Sequence, residues 1–170
     1  MDTTIQEYKN FLSIYELDII NRTALEPRWV CNHGSMSRDN SSLFWRLDLN
    51  PEQDPFFFNE VFNKIKERTG ENFEIERIYF NGHNACSGGQ IHQDNTSPNA
   101  RTFLIYCNQA WSPELGGGTV FVLDHDNIVT QYPYPRAAIC FPGYLRHSAL
   151  PTGKTFNGLR VTLAYKLLKI

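Results

Sequence analysis

The stretch GGQIHQDNT, residues 88–96, places His92 and Asp94 one residue apart. In extended backbone, side chains at i and i+2 leave the same face, so an imidazole and a carboxylate would point into one space. Such a pair suits a divalent metal but does not complete a site. Of the five histidines, His33 and His83 lie in polar, loop-like surroundings (VCNHGSMS and FNGHNACS), and His125 sits in LDHDNI, which reads as a turn between strands. His147 follows AAICFPGYLR, a buried-looking strand ended by a Pro-Gly turn, which delivers it at a strand rim. His92, Asp94 and His147 together would make a two-histidine, one-carboxylate face, the arrangement that leaves open positions for chelating ligands and O2 on non-haem Fe(II).

A cation follows on the next strand. In GLRVTLAYKLL, Arg160, Thr162, Ala164 and Lys166 share one face, and Val161, Leu163, Tyr165 and Leu167 the other. The apolar face belongs against a helix, and the first face would carry Arg160 inward. A buried guanidinium is costly unless a carboxylate meets it in bidentate fashion. An acid cosubstrate would supply that carboxylate if the protein does not.

Positioning such groups requires strands. SLFWRLDL, FEIERIYF, RTFLIYC, TVFVL, AAICF and RVTLAYKLL carry the β-branched, aromatic and alternating residues of strands, separated by Gly, Pro, Asn and Asp. From residue 72 onward the pattern is almost entirely β. Before it, DPFFFNEVFNKIKERTG reads as a helix with Asp54 as cap, Pro55 in the first turn, a stripe of Phe58, Val61, Phe62 and Ile65, and Gly70 as stop. A second helix is expected within residues 4–16. The fold class is mainly β with flanking helices: a double-stranded β-helix, or jelly roll, with cupin-like character.

The 170 residues fit one domain, with N-terminal support over 1–71 and a jelly-roll core over 72–170. A net charge of -2 gives no positive field for a phosphate backbone, which argues against nucleic acid as a partner. Cys31, Cys86, Cys107 and Cys140 form no CxxC pair, and Cys107 and Cys140 sit in apolar runs that suit free buried thiols. With no secretory leader and no apolar run long enough to span a bilayer, the expected location is cytoplasmic, without membrane association. Nothing in the sequence sets an oligomeric state.

Read in order, HQD, YCNQAW…GGGTVF, FPG…H and LRVTLAY resemble the prolyl-4-hydroxylase-like branch of the 2-oxoglutarate and Fe(II)-dependent oxygenases, over roughly residues 73–170. The resemblance implies His92, Asp94 and His147 as iron ligands and Arg160 as partner of the distal carboxylate of 2-oxoglutarate. It also implies Tyr106 or Tyr79 as a hydroxyl that hydrogen-bonds the cosubstrate, leaving open which of the two does so. The implied reaction hydroxylates an unactivated C–H bond of a prolyl or other residue, or of a small molecule, consuming O2 and releasing succinate and CO2. Ascorbate is a candidate reductant, and the partners are 2-oxoglutarate and a protein, peptide or small-molecule substrate. Arg160 lies thirteen positions after His147, a longer interval than is usual in such proteins, with Lys154 and Lys166 as fallback partners for the cosubstrate.

Other features have plainer readings. Asp124-His125-Asp126 repeats the spacing of the metal pair but has turn chemistry. The glycines at 116–118 lack the following helix of a phosphate loop and read as flexible backbone before a strand. His83, Arg101, Trp111 and Arg146 could line the mouth of the site, Asn81 and Gln90 are similar cases, and Cys86 reads as a small loop residue. The competing functions are a nucleic-acid dealkylating oxygenase and a metal-binding cupin-like protein without redox chemistry.

Overall fold

A computed structural model describes residues 2–34, 43–124 and 127–170. Its chain runs β1 (Gln6–Tyr8), α1 (Ile14–Ala24), β2 (Val30–His33), β3 (Phe44–Asp48), a π turn (Phe57–Val61) leading into α2 (Phe62–Thr69), then β4 (Phe73–His83) and β5 (Ala100–Tyr106). It continues with β6 (Thr119–Val122), β7 (Ile128–Gln131), β8 (Ala138–Pro142), β9 (Arg146–Ala149) and β10 (Arg160–Lys169). Seven strands form one sheet in the order β1-β8-β5-β10-β4-β3-β2, and β7-β6-β9 form a second. Every ladder is antiparallel. The two sheets face each other as a jelly roll.

The alternation in β10 divides the interior in two. Leu163, Tyr165 and Leu167 face one core with Phe80 and Phe103, where Leu17 and Ile20 of α1 and Phe57, Val61 and Ile65 of the second helical segment cover the large sheet. Each such fully buried side chain contributes roughly 1.5–3 kcal/mol. Ala164 faces the second core, between the sheets, with Tyr79, Leu104, Phe121 and Phe141. Thr162 and Lys166, on the same face as Ala164, line the cavity there.

Both helices of the N-terminal seventy residues differ from expectation. Residues 4–16 are not a helix: β1 pairs with β8, and α1 begins only at Ile14. Ser13 sets that start, because its Oγ accepts from Glu16 N at 3.1 Å while Glu16 Oε2 accepts from Ser13 N at 2.6 Å, a reciprocal capping box. Nor does Asp54 cap the second helix with its side chain. Its carboxylate takes two hydrogen bonds from Arg28, at 2.7 and 3.0 Å, and one from Asn50 N. The π turn brings Phe57 onto the buried side with Val61 and Ile65, leaving Phe58 and Phe62 only partly covered. Gly70, at φ 69°, ends α2 in the left-handed conformation.

His33 ends β2 and His83 ends β4, so neither lies in a loop, whereas His125 and Asp126 lie outside the described residues. All four cysteines are free, Cys107 and Cys140 being buried. Among the described residues, no helix is long and apolar enough to cross a membrane.

Candidate metal centre and the cavity beside it

His92 and Asp94 lie on the segment before β5, and His147 lies on β9 of the small sheet. An isolated antiparallel bridge joins them: His92 N donates to His147 O at 3.0 Å, and His147 N to His92 O at 2.9 Å. Asp94 N donates to Gly143 O at 2.8 Å, fixing the third residue to the turn before β9. One ligand atom from each of the three residues falls within 4.8 Å of the others. His92 Nε2 is 3.4 Å from Asp94 Oδ1, and His147 Nε2 is 3.4 Å from Asp94 Oδ2.

The tautomers suit a cation. Each Nδ1 sits 2.8 Å from a backbone carbonyl, Gln90 O for His92 and Leu145 O for His147. A carbonyl only accepts, so the neutral ring carries its proton there and turns the Nε2 lone pair toward the other donors. His147 is 7% exposed between Phe121 and Phe141, and burial pushes its pKa down to about 4, with Asp94 acting in the opposite sense. Burial alone would raise the Asp94 carboxyl, but Lys166 and the two imidazoles hold it well below the usual carboxylate range. Ligand atoms about 2.1 Å from a first-row ion at near-right angles lie roughly 3 Å apart. The two imidazoles and one carboxylate therefore fit such an ion.

Thr102 on β5 donates to Asp94 Oδ2 at 2.6 Å, and the Lys166 ammonium bonds the same oxygen. Lys166 is 5% exposed; burial lowers its pKa, but Tyr79 and Asp94 outweigh that and raise it overall. Lys166, a fallback partner for a cosubstrate in the sequence, thus stands beside His92 and Asp94 and is bound to Asp94. Lys154 is exposed and does not line the cavity.

A cavity of about 150 Å³ runs between the sheets from the metal residues to Arg160. Arg160 is 1% exposed, the largest fully buried side chain among the described residues, and burial pulls its pKa down. Its Nε donates to Gly117 O at 2.5 Å and its Nη2 to Thr119 Oγ1 at 3.3 Å. No carboxylate among the described residues pairs with it. The longer stretch between His147 and Arg160 docks on the glycine run: Gly117 N donates to Pro151 O, and Gly116 bridges Thr152.

The two tyrosines occupy different ends. Tyr106 OH donates to Thr119 Oγ1 at 3.0 Å, the oxygen that also accepts from Arg160, and burial pushes its pKa up to about 12. Tyr79 lines the cavity beside Lys166, to which it is hydrogen-bonded. Of the four expected mouth residues, only His83, stacked on Phe44 with ring centroids 4.5 Å apart, lines the cavity. Trp111 instead bonds Gly116 O and packs on Phe156, Arg101 bonds the carbonyls of Pro98 and Ala100, and Arg146 is exposed. Asn81 lines the cavity, whereas Cys86 is an exposed loop residue with φ 61°.

Sequence reasoning missed Thr102 and Thr119, which carry no motif, and Gly117, whose part depends on a carbonyl rather than a side chain.

No family model matches the chain, and no curated protein matches it in sequence. Solved structures match its fold. A prolyl-4-hydroxylase from Pseudomonas putida superposes with a TM-score of 0.73 at 16% identity, over 99% of this chain and 94% of that one. HygX from Streptomyces hygroscopicus, determined with nickel and 2-oxoglutarate bound, gives 0.73 at 12% identity over 98% and 83%. A prolyl hydroxylase from Trichoplax adhaerens, in complex with a peptide fragment of the hypoxia inducible factor oxygen degradation domain, gives 0.66 at 14% over 96% and 83%. The chain has the double-stranded β-helix fold of these oxygenases.

Proposed function

We propose that the chain, acting as one catalytic unit, is a 2-oxoglutarate- and Fe(II)-dependent dioxygenase that hydroxylates an unactivated C–H bond and releases succinate and CO2. The observation that carries this reading is the convergence of His92, Asp94 and His147 at one end of a cavity whose other end holds Arg160 with no carboxylate partner among the described residues. The fold neighbours that bind 2-oxoglutarate support it.

His92 and His147 would hold the iron through Nε2, and Asp94 through a carboxylate oxygen. Iron supplies the activation of O2 and the oxidising power when bound. The protein's share is orientation. Arg160 would take the far carboxylate of 2-oxoglutarate with the donors that Gly117 and Thr119 leave over, in charge-assisted hydrogen bonds. Thr119, with Tyr106 behind it, fixes the guanidinium. Lys166 and Thr102 hold one oxygen of Asp94 and leave the other to the metal. Phe121 and Phe141 keep water from His147. With Asp94 in the carboxylate position, a halide has no place among the ligands, and hydroxylation is favoured over halogenation.

The substrate is a protein, a peptide or a small molecule. The setting is cytoplasmic, supported by four unpaired cysteines. The reading is tested by adding Fe(II) and 2-oxoglutarate under argon, where a weak visible charge-transfer band is expected, followed by succinate release in air with candidate substrates. Absence of both iron retention and the band overturns it.

A further inference from the structure

We propose that the Arg77 edge of the cavity binds a carboxylate of the prime substrate, an inference that rests on the oxygenase reading above. Three observations lead there.

First, among the described residues the charged side chains lining the cavity are Arg77, Arg160, Lys166 and a single carboxylate, Asp94. That leaves two positive charges in excess. A ferrous ion adds two and the 2-oxoglutarate dianion removes two, so a loaded site keeps its excess and is complementary to an anion.

Second, Arg77 stands directly opposite Lys166 in the β4–β10 ladder. Like charges facing each other across a ladder are destabilising. Asp94 relieves only Lys166, to which it is bound together with Thr102. Arg77 has no ion pair or hydrogen bond among the described residues and meets only the Tyr79 ring, 5.9 Å from its guanidinium. Of the carboxylates near it, Asp48 is bound by Arg46 and Glu76 by Asn95. Arg46, Arg77 and Lys166 thus surround one aromatic ring at 4.3, 5.9 and 5.9 Å.

Third, the positions divide the work. Six residue steps along β10, roughly 20 Å of strand, separate Lys166 from Arg160, so the two ends cannot serve one small dianion. The cavity is only about 150 Å³, and on the oxygenase reading the cosubstrate fills it. The prime substrate must then present itself from the mouth, and Arg77 is the exposed cation there among the described residues. The carboxylate can belong to a free amino acid or to an Asp or Glu side chain of a peptide.

The test follows the charge-transfer band of the Fe(II)–2-oxoglutarate complex under argon while probes are added in two arms. One arm compares free L-amino acids with their C-terminal amides. The other compares end-capped pentapeptides carrying one Asp or Glu with the same peptides carrying Asn or Gln. In one arm the acid is expected to perturb the band at a concentration at least tenfold lower than its amide. In Arg77→Gln that preference should fall to within twofold, and in Arg77→Lys it should persist, while the band of each variant reports an intact cosubstrate site. Equal response to acid and amide in both arms, or an undiminished preference in Arg77→Gln, overturns the proposal. Should the wild-type band never form, the oxygenase reading fails, and the acid preference is then decided by thermal shift of the metal-free protein with the same probe pairs.

Discussion

Arg160 Nε donates to the carbonyl oxygen of Gly117 at 2.5 Å, joining positions 43 residues apart. Gly117 has φ 68°, and a Cβ there would meet Thr152 Cγ2 and Trp111 Cζ2 at 2.8 Å and Arg160 Cδ at 3.2 Å. Both facts demand glycine. Gly117→Ala is expected to displace the guanidinium and raise the half-saturating 2-oxoglutarate concentration at least tenfold, with iron affinity held within twofold. Titration of the charge-transfer band measures both. An unaltered cosubstrate requirement would detach Gly117 from the role.

The two tyrosines are separable. Tyr106→Phe removes a donor to Thr119 and should weaken 2-oxoglutarate binding about three- to tenfold, the loss of about one hydrogen bond. Tyr79→Phe, at the Lys166 end, should leave cosubstrate half-saturation within twofold. Reversal of this order would move the cosubstrate contact to Tyr79.

On the proposed reading Asp94 has two jobs, ligand and counter-charge, which mutation can divide. Asp94→Ala leaves the Lys166 ammonium buried without its counter-charge and is expected to cost about 3–5 kcal/mol of metal-free stability in urea unfolding. It should also abolish stoichiometric iron retention. Adding Lys166→Met should restore most of the stability and none of the iron. Iron retained by either variant would exclude Asp94 from the ligand set.

Glu16 links three groups: the Ser13 cap, its own helix, and Lys64, whose Nζ lies 2.6 Å from Oε2. Burial opposes ionisation, but Lys64 and Ser13 outweigh it and lower the Glu16 pKa in the folded state. A depressed folded value means stability that is complete above the unfolded value near 4.5 and is lost as pH falls through the folded one. Glu16→Gln should therefore lower Tm at pH 7 by an amount equivalent to about 1–2 kcal/mol, and the gap from wild type should narrow between pH 5 and pH 3. A gap independent of pH would mean that the carboxylate's charge contributes nothing.

Local pattern carried the β10 strand and the pairing of His92 with Asp94. A period of two is written in RVTLAYKLL itself, and His92-Gln93-Asp94 needs only extended backbone. The helix at 14–24 had a readable start in Ser13-Ile-Tyr-Glu16, yet Ile14 and Tyr15 are exposed and blur its apolar stripe. β1 is three residues long, and its partner β8 lies some 130 residues away, so no local signal exists. The glycine run looked like slack. Which of its carbonyls meets Arg160 depends on how residues 150–159 dock, a tertiary fact that composition does not encode. The long interval before Arg160 cast doubt on that residue, and the docking of this same stretch on Gly116 and Gly117 accommodates it.

The reciprocal amide bonds between His92 and His147 have a bearing on ion choice. They set the separation of the two rings through the peptide scaffold, before any ion arrives. The incoming cation must match a fixed gauge. Larger or differently shaped ions would seat with distorted angles, chelation should strip the metal without melting the jelly roll, and reloading should be rapid because nothing has to refold.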